Sequence, residues 1–303
     1  MLADMLSTAR SCRWLTLLAL GAGACVSGSY TVRSHYPSQS AEVEPAPKPT
    51  PALLSAHLTR YGEEPAPLHG DGGGERMVEG SEATQDAVLL VFAEELDPLT
   101  LDARAFGILR ADGRRVRPTR VFLAPADEGD ENRSVTLIGN FGSEGSPPVA
   151  VHVIGTIHAE SGAELRGLDA PISGPSDPDR PVVIERVEPN ESRCPGAAQM
   201  LRSYWSDALT HVGADDLAGV ELRLADGRVI HPIDFDDQAR RAEDPPCPEP
   251  FSACLGPEDD NVLDLCIGAS EAVVHLHFNA GLFRDQAGHE SAAADVTLPL
   301  SKP

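Results

Sequence analysis

Leu109-Arg110-Ala111-Asp112-Gly113-Arg114 and Leu222-Arg223-Leu224-Ala225-Asp226-Gly227-Arg228 are one phrase written twice, each followed by a proline, Pro118 and Pro232. Asp-Gly between apolar runs marks a tight hairpin, because glycine accepts the positive φ that the turn needs. Upstream, the apolar run Val88–Leu96 has its counterpart in Gln199–Leu209. Downstream, Asp130-Glu131-Asn132-Arg133-Ser134-Val135-Thr136-Leu137-Ile138-Gly139 aligns without a gap with Asp259-Asp260-Asn261-Val262-Leu263-Asp264-Leu265-Cys266-Ile267-Gly268. Val151-His152-Val153 then matches Val274-His275-Leu276, and Gly155 and Gly162 fall opposite Gly281 and Gly288. Four blocks in the same order make an internal repeat. Short strands separated by turn signals in each copy predict a sandwich. Leading strands are expected at Ala56–Tyr61 and Val182–Val187, and a helical patch in the crossover at 99–106 or 213–219. The expected fold is all-β, two tandem β-sandwich domains at 52–172 and 178–303.

Composition agrees. Gly (27) and Pro (26) are plentiful and aromatics are 5% of the 303 residues, which suits many turns and short strands better than a helical bundle. The net charge of −23 opposes nucleic-acid binding, whose affinity comes from neutralising phosphates.

At these residues the chain resembles the bacterial Ig-like domains of surface-layer and cell-envelope proteins. The family's opening phrase, Phe-Ser-Glu-x-Val-Asp, appears as Phe92-Ala93-Glu94-Glu95-Leu96-Asp97 and more loosely as Trp205-Ser206-Asp207-Ala208-Leu209. Its closing phrase, Asp-x-x-Gly-Asn, appears as Asp285-Gln286-Ala287-Gly288-His289 and, drifted, as Glu160-Ser161-Gly162-Ala163; both lack the Asn. The resemblance implies an Ig-like fold. It leaves function open, because such domains serve as spacers, adhesion modules and enzyme appendages.

The N-terminus addresses location. Arg10 and Arg13 precede the apolar run Trp14–Leu20, which is too short to span a bilayer and reads as an export signal. Ala22-Gly23-Ala24-Cys25 resembles a lipobox, in which Cys25 takes the lipid and becomes the mature N-terminus. Ala22 stands where that motif usually has Leu, and ordinary secretion with cleavage after Ala22 or Ala24 is the alternative. Residues 1–24 are thus read as a lipoprotein signal and 25–51 as a tether. Its segment Val43-Glu44-Pro45-Ala46-Pro47-Lys48-Pro49-Thr50-Pro51 is expected to be extended and stiff. Val26 after Cys25, in place of an inner-membrane-retaining Asp, implies by family analogy the outer membrane.

Four cysteines follow the tether: Cys194, Cys247, Cys254 and Cys266. An even count in an exported chain suggests two disulfides, with three pairings open. Cys247 with Cys254 across a Pro-rich loop, leaving Cys194 with Cys266, is favoured; a zinc site is the rival, though CxxC spacing is lacking. Cys247 and Cys254 lie within an insert at 238–258, the largest asymmetry between the copies.

No motif for serine or metallo-hydrolysis is present: there is no Gly-x-Ser-x-Gly and no His-Glu-x-x-His. His275 and His277 share one face of a strand and are expected to meet solvent. Calcium is the better metal candidate, with Asp236 and Asp237 at one strand end and Asp259 and Asp260 at the start of another. Tyr204 and Trp205 are adjacent and point to opposite faces, one into the core and one outward. The expected role is a non-enzymatic envelope protein, held to a membrane by its N-terminal lipid and presenting two Ig-like modules to an envelope protein or glycan. The alternatives are a calcium-stabilised adhesion or carbohydrate-binding module, or an envelope enzyme with a loop-built site.

Overall fold

The computed structural model describes residues 50–60, 85–126, 131–190, 193–210, 212–236, 260–285 and 287–299. The export signal, Cys25, most of the tether, Asp237, Asp259 and the insert with Cys247, Phe251 and Cys254 lie outside the described residues.

The first sandwich comprises β1 (Leu53–Arg60), β2 (Asp86–Phe92), β3 (Phe106–Arg110), β4 (Arg115–Val116), β5 (Arg120–Leu123), β6 (Ser134–Gly139), β7 (Pro148–Val153) and β8 (Asp169–Pro171). Its sheets run β1-β2-β6-β5 and β4-β3-β7-β8, all antiparallel. The second comprises β9 (Pro181–Val187), β10 (Gln199–Trp205), β11 (Val220–Leu224), β12 (Val229–Ile230), β13 (Asp234–Asp236), β14 (Val262–Ile267), β15 (Val273–Phe278) and β16 (Ala294–Thr297). Its sheets, β9-β10-β14-β13 and β12-β11-β15-β16, repeat the same order. Lettered in chain order, each is A-B-E-D facing C′-C-F-G, the immunoglobulin arrangement with an added C′ strand. Short 3-10 turns at Ala103–Ala105 and Ala214–Gly219 fill the B-to-C crossovers.

The doubled phrase folds as expected in both copies. Gly113 (φ 81°) and Gly227 (φ 88°) take the left-handed conformation at the C–C′ turn. Asp112 and Asp226 each accept from the backbone N–H two residues on, Arg114 and Arg228, at 3.0 Å. The turn is thus fixed by one Asx bond and one glycine.

Register corrects two of the alignments. In β6, Val135 and Leu137 enter the first core; in β14, Leu263, Leu265 and Ile267 enter the second. Phe92 N–H donates to Arg133 O, and its counterpart Trp205 N–H donates to Asn261 O. The gapless match of Asp130–Gly139 with Asp259–Gly268 is therefore one residue out, and Val135 corresponds to Leu263 rather than Asp264. Two shared asparagines, Asn132 and Asn261, favoured the wrong frame, and a one-residue slip exchanges the faces of a strand. Likewise Val151 pairs with Ile108 and Leu276 with Leu222, so the Val-His-Val match is two residues short, an even slip that preserves the face.

Trp205 anchors the second core. It is fully buried and meets Phe278 and Phe283 edge-to-face, each at 5.2 Å between ring centres. Phe92 holds the same place in the first core. Where β7 leaves the first sandwich, the N–H groups of Ile154 and Gly155 both donate to Ala105 O, at 2.7 and 3.0 Å. A Cβ on Gly155 would lie 2.7 Å from Ala105 Cα, against backbone that cannot swing away. Gly155→Ala should cost about 1–3 kcal/mol through this overlap, measured as a lower urea midpoint at unchanged slope.

Candidate functional site at the domain joint

Alternation in β10 and β14 sends one side-chain set into the core and the other outward: Met200, Arg202 and Tyr204, opposite Cys266, Asp264 and Val262. The Tyr204–Val262 end of that outward face is covered by the first sandwich. Val91 and Ala126 pack with Tyr204 and Val262 in a small apolar cluster bordered by Val182 and Val183. Tyr204, expected at the surface if Trp205 is core, is fully buried: docking of the two domains hides it, which one strand's periodicity does not express. Arg133 of the first sandwich lies over its ring, 5.6 Å from the centroid, and pairs with Glu185 at 2.6 Å.

Beside this cluster lies a buried ion network. Arg202 makes a two-pronged contact with Asp264, Nε to Oδ1 at 2.9 Å and Nη2 to Oδ2 at 3.0 Å. Arg193 Nη1 reaches the same carboxylate at 2.9 Å. Both guanidinium groups also meet Glu131 of the first sandwich, Arg202 at 3.2 Å and Arg193 more closely. All four are at most 2% exposed. Burial alone would lower the Arg202 pKa; its hydrogen bond to Asp264 and the charge of Glu131 outweigh that and hold it charged. Among the described residues, these two cations and two anions form one network across the joint.

The second polar cluster lies where the linker crosses. Ala56 and Leu58 of β1 face the first core, so His57 between them faces away. Ser173, just after β8, exchanges backbone bonds with Ala56 and Leu58, and its Oγ lies 2.8 Å from His57 Nδ1. From the other side come Asp179 in the linker and Asp207 of the second domain's opening phrase. His57 Nε2 stands 3.5 Å from Asp207 Oδ2, and one ligand atom from each of His57, Asp179 and Asp207 falls within 4.8 Å of the other two. Asp285 of the closing phrase is also buried and accepts from His289 N and Nδ1, both at 2.7 Å.

Electrostatics follow from this crowding. Burial lowers the His57 pKa to about 4, overriding the pull of Asp177 and Asp285, with His289 and Arg180 adding to the fall. Burial raises Asp179 to about 7 and Asp285 adds to it, against the Ser206 hydroxyl bond and His289. The two act oppositely on stability. Asp179 takes up its folded-state proton early, so it costs stability as pH rises from about 4 to about 7. His57 stays neutral in the fold, so it costs stability as pH falls from about 6.5 to about 4. In chelated buffer, Asp179→Asn should therefore be more stable than the wild type at pH 8, by roughly 2 kcal/mol. The gap should close towards pH 4, leaving the His57 slope uncovered below pH 6.5. Denaturation midpoints across pH 4–8 measure this, and parallel profiles for the two proteins would refute it.

The sequence-derived sites fare unevenly. Cys194 and Cys266 form a disulfide, as one of the open pairings had it. Of the four calcium candidates, Asp236 and Asp260 lie among the described residues. Asp236 sits opposite Asp264 in the ladder, four residues and about 13 Å along the strand from Asp260. Asp236 accepts from Cys194 N at 2.6 Å and Asp260 from Val262 N at 3.0 Å, so the structure does not bring these two carboxylates together. His275 and His277 share a half-exposed face of β15, where both meet Asp295, at 3.4 and 3.0 Å. The His57 cluster escaped sequence reading. Asp207 stood inside a recognised phrase, but nothing along the chain ties it to His57 or to Asp179 in the linker.

No family model and no curated protein matches the chain. Among solved structures the chain is similar to bovine butyrophilin at 9% identity, over 71% of this chain and 92% of that one, with a TM-score of 0.17.

Proposed function

We propose that this chain is a lipid-anchored cell-envelope protein that presents its paired Ig-like domains for structural display or protein binding, without catalysis of its own. The reading at Cys25 and the stiff tether supply the anchor and the reach. The Cys194–Cys266 disulfide suits an oxidising compartment outside the cytoplasm. Two sandwiches joined by an apolar cluster and a buried ion network make one arm, which suits display away from a membrane.

One observation carries the binding half. Val229 in β12 and Ile233 just before β13 are 53% and 57% exposed, and β12 and β13 are edge strands of the two sheets. Exposed apolar side chains on edge strands favour strand addition by a partner chain. The 238–258 insert follows directly, so this corner is the expected contact. The test combines palmitate labelling with membrane fractionation, and photo-crosslinking from position 229 in intact cells. Wild type should be labelled, sediment with the outer membrane and crosslink to one envelope protein; Cys25→Ser should be unlabelled and soluble. An unlabelled wild type in the soluble fraction would replace the anchor with plain secretion.

A further inference from the structure

We propose that His57 Nε2, Asp179 and Asp207 are ligands of a zinc-class divalent cation that clasps the two domains together. The argument begins with a proton count. Ser173 Oγ lies 3.2 Å from Ala56 O and 2.8 Å from His57 Nδ1; in the arrangement where the hydroxyl donates to the carbonyl it accepts from Nδ1, which then carries the ring proton. Nε2 then presents a lone pair, buried in a residue 1% exposed, without a hydrogen-bond donor. It faces Asp207 Oδ2 at 3.5 Å. Asp179, also 1% exposed, holds Oδ1 against the Ser206 hydroxyl at 3.2 Å and leaves Oδ2 without a hydrogen-bond partner. Two of the three converging acceptors, His57 Nε2 and Asp179 Oδ2, are thus buried without a hydrogen-bond partner, a loss of solvation that a cation between them would offset.

A divalent ion matches the charge of the two carboxylates. One imidazole nitrogen with carboxylate oxygens suits zinc, whereas calcium takes oxygen alone. Bonds of about 2.0–2.1 Å at a tetrahedral centre put neighbouring ligand atoms about 3.3 Å apart, near the observed His57–Asp207 separation. The ring's other side suits the same reading: the far ring nitrogen of a metal-bound histidine normally donates to an oxygen, and Ser173 Oγ lies 2.8 Å from Nδ1. The ligands come from the first domain's A strand, the linker and the second domain's B–C corner. The site therefore exists only in the docked pair, and binding free energy becomes docking free energy.

The test uses the purified protein, stripped with chelator and dialysed against zinc, with metal content and melting temperature measured together. Wild type should retain one zinc per chain above any surface binding, and its Tm should rise by several degrees, as expected for a ligand of the folded state. Asp179→Asn removes a buried charge and keeps the Ser206 bond, so it should fold; it should lose that zinc and the Tm response. His57→Asn should do the same. His277→Asn, at the exposed His275–His277–Asp295 cluster, should leave both readouts as in wild type. A wild type that takes up no zinc, or takes it up without a change in Tm, would overturn the proposal. So would an Asp179→Asn variant with undiminished zinc content and Tm shift. Neither readout involves Cys25 or a binding partner, so the outcome is independent of the envelope reading.

Discussion

Asp264→Ala should destabilise the protein by about 3–5 kcal/mol, the cost of leaving buried charge uncompensated. Asp264 is fully buried and neutralises two guanidinium groups at once. Its removal takes from both Arg193 and Arg202 a carboxylate that each meets at 2.9 Å, out of reach of water. Screening by salt will not relieve this, because the groups are buried. Adding Arg202→Leu to Asp264→Ala should recover most of the loss, since it removes the guanidinium that Asp264 held in two places and puts apolar bulk there. Glu131→Ala acts on the same network from the other domain. It should cost a similar amount and split a shared thermal transition into two, because Glu131 is the network's link to the first sandwich. Calorimetry of the three variants checks all of this. A cost under about 1 kcal/mol for Asp264→Ala would mean that the network is hydrated and the joint open.

The same network shows where the sequence stops being informative. Within each sandwich, the alternation of Val88, Leu90 and Phe92, or of Leu263, Leu265 and Ile267, specifies which face is core, because the core is the only burial those positions see. The Asp-Gly turns are equally plain, since their chemistry is local. Arg202, Tyr204 and Asp264 occupy the polar phase of the alternation and read as solvent-facing. Their burial comes from a second domain whose docking leaves no periodic trace. The frame slip between β6 and β14 has the same root: Asp264 was an acceptable match for a core valine only while its face was unassigned. His57 and Asp179 are further out of reach, one on a strand's outward phase and one in a linker. The chain could announce the modules but not their joint, and the joint holds both polar clusters.

Loss of the Cys194–Cys266 disulfide should cost about 4 kcal/mol, the loop-closure entropy expected for a sequence separation of 72. The cross-link ties the segment before β10 to β14 on the outward face, among Met200, Val187 and Ala197. It has a second consequence that the entropy term omits. Cys194 takes a left-handed backbone (φ 52°), held by Asp236 on its N–H, and Arg193 immediately precedes it. The disulfide therefore helps to aim the Arg193 side chain at Asp264 and Glu131. If it acted only on the unfolded chain, Cys194→Ala/Cys266→Ala and Asp264→Ala would add. If it also positions Arg193, the combined variant should lose about 1 kcal/mol or more less than the sum, because the first change has already weakened what the second removes. A double-mutant cycle in urea decides between them. Coupling is the expected result, since Arg193 lies on a loop, whereas Arg202 and Asp264 lie on strands, and its position depends most on the bond beside it. Strict additivity would return the disulfide to a purely entropic role and place the aim of Arg193 on its own ion pairs.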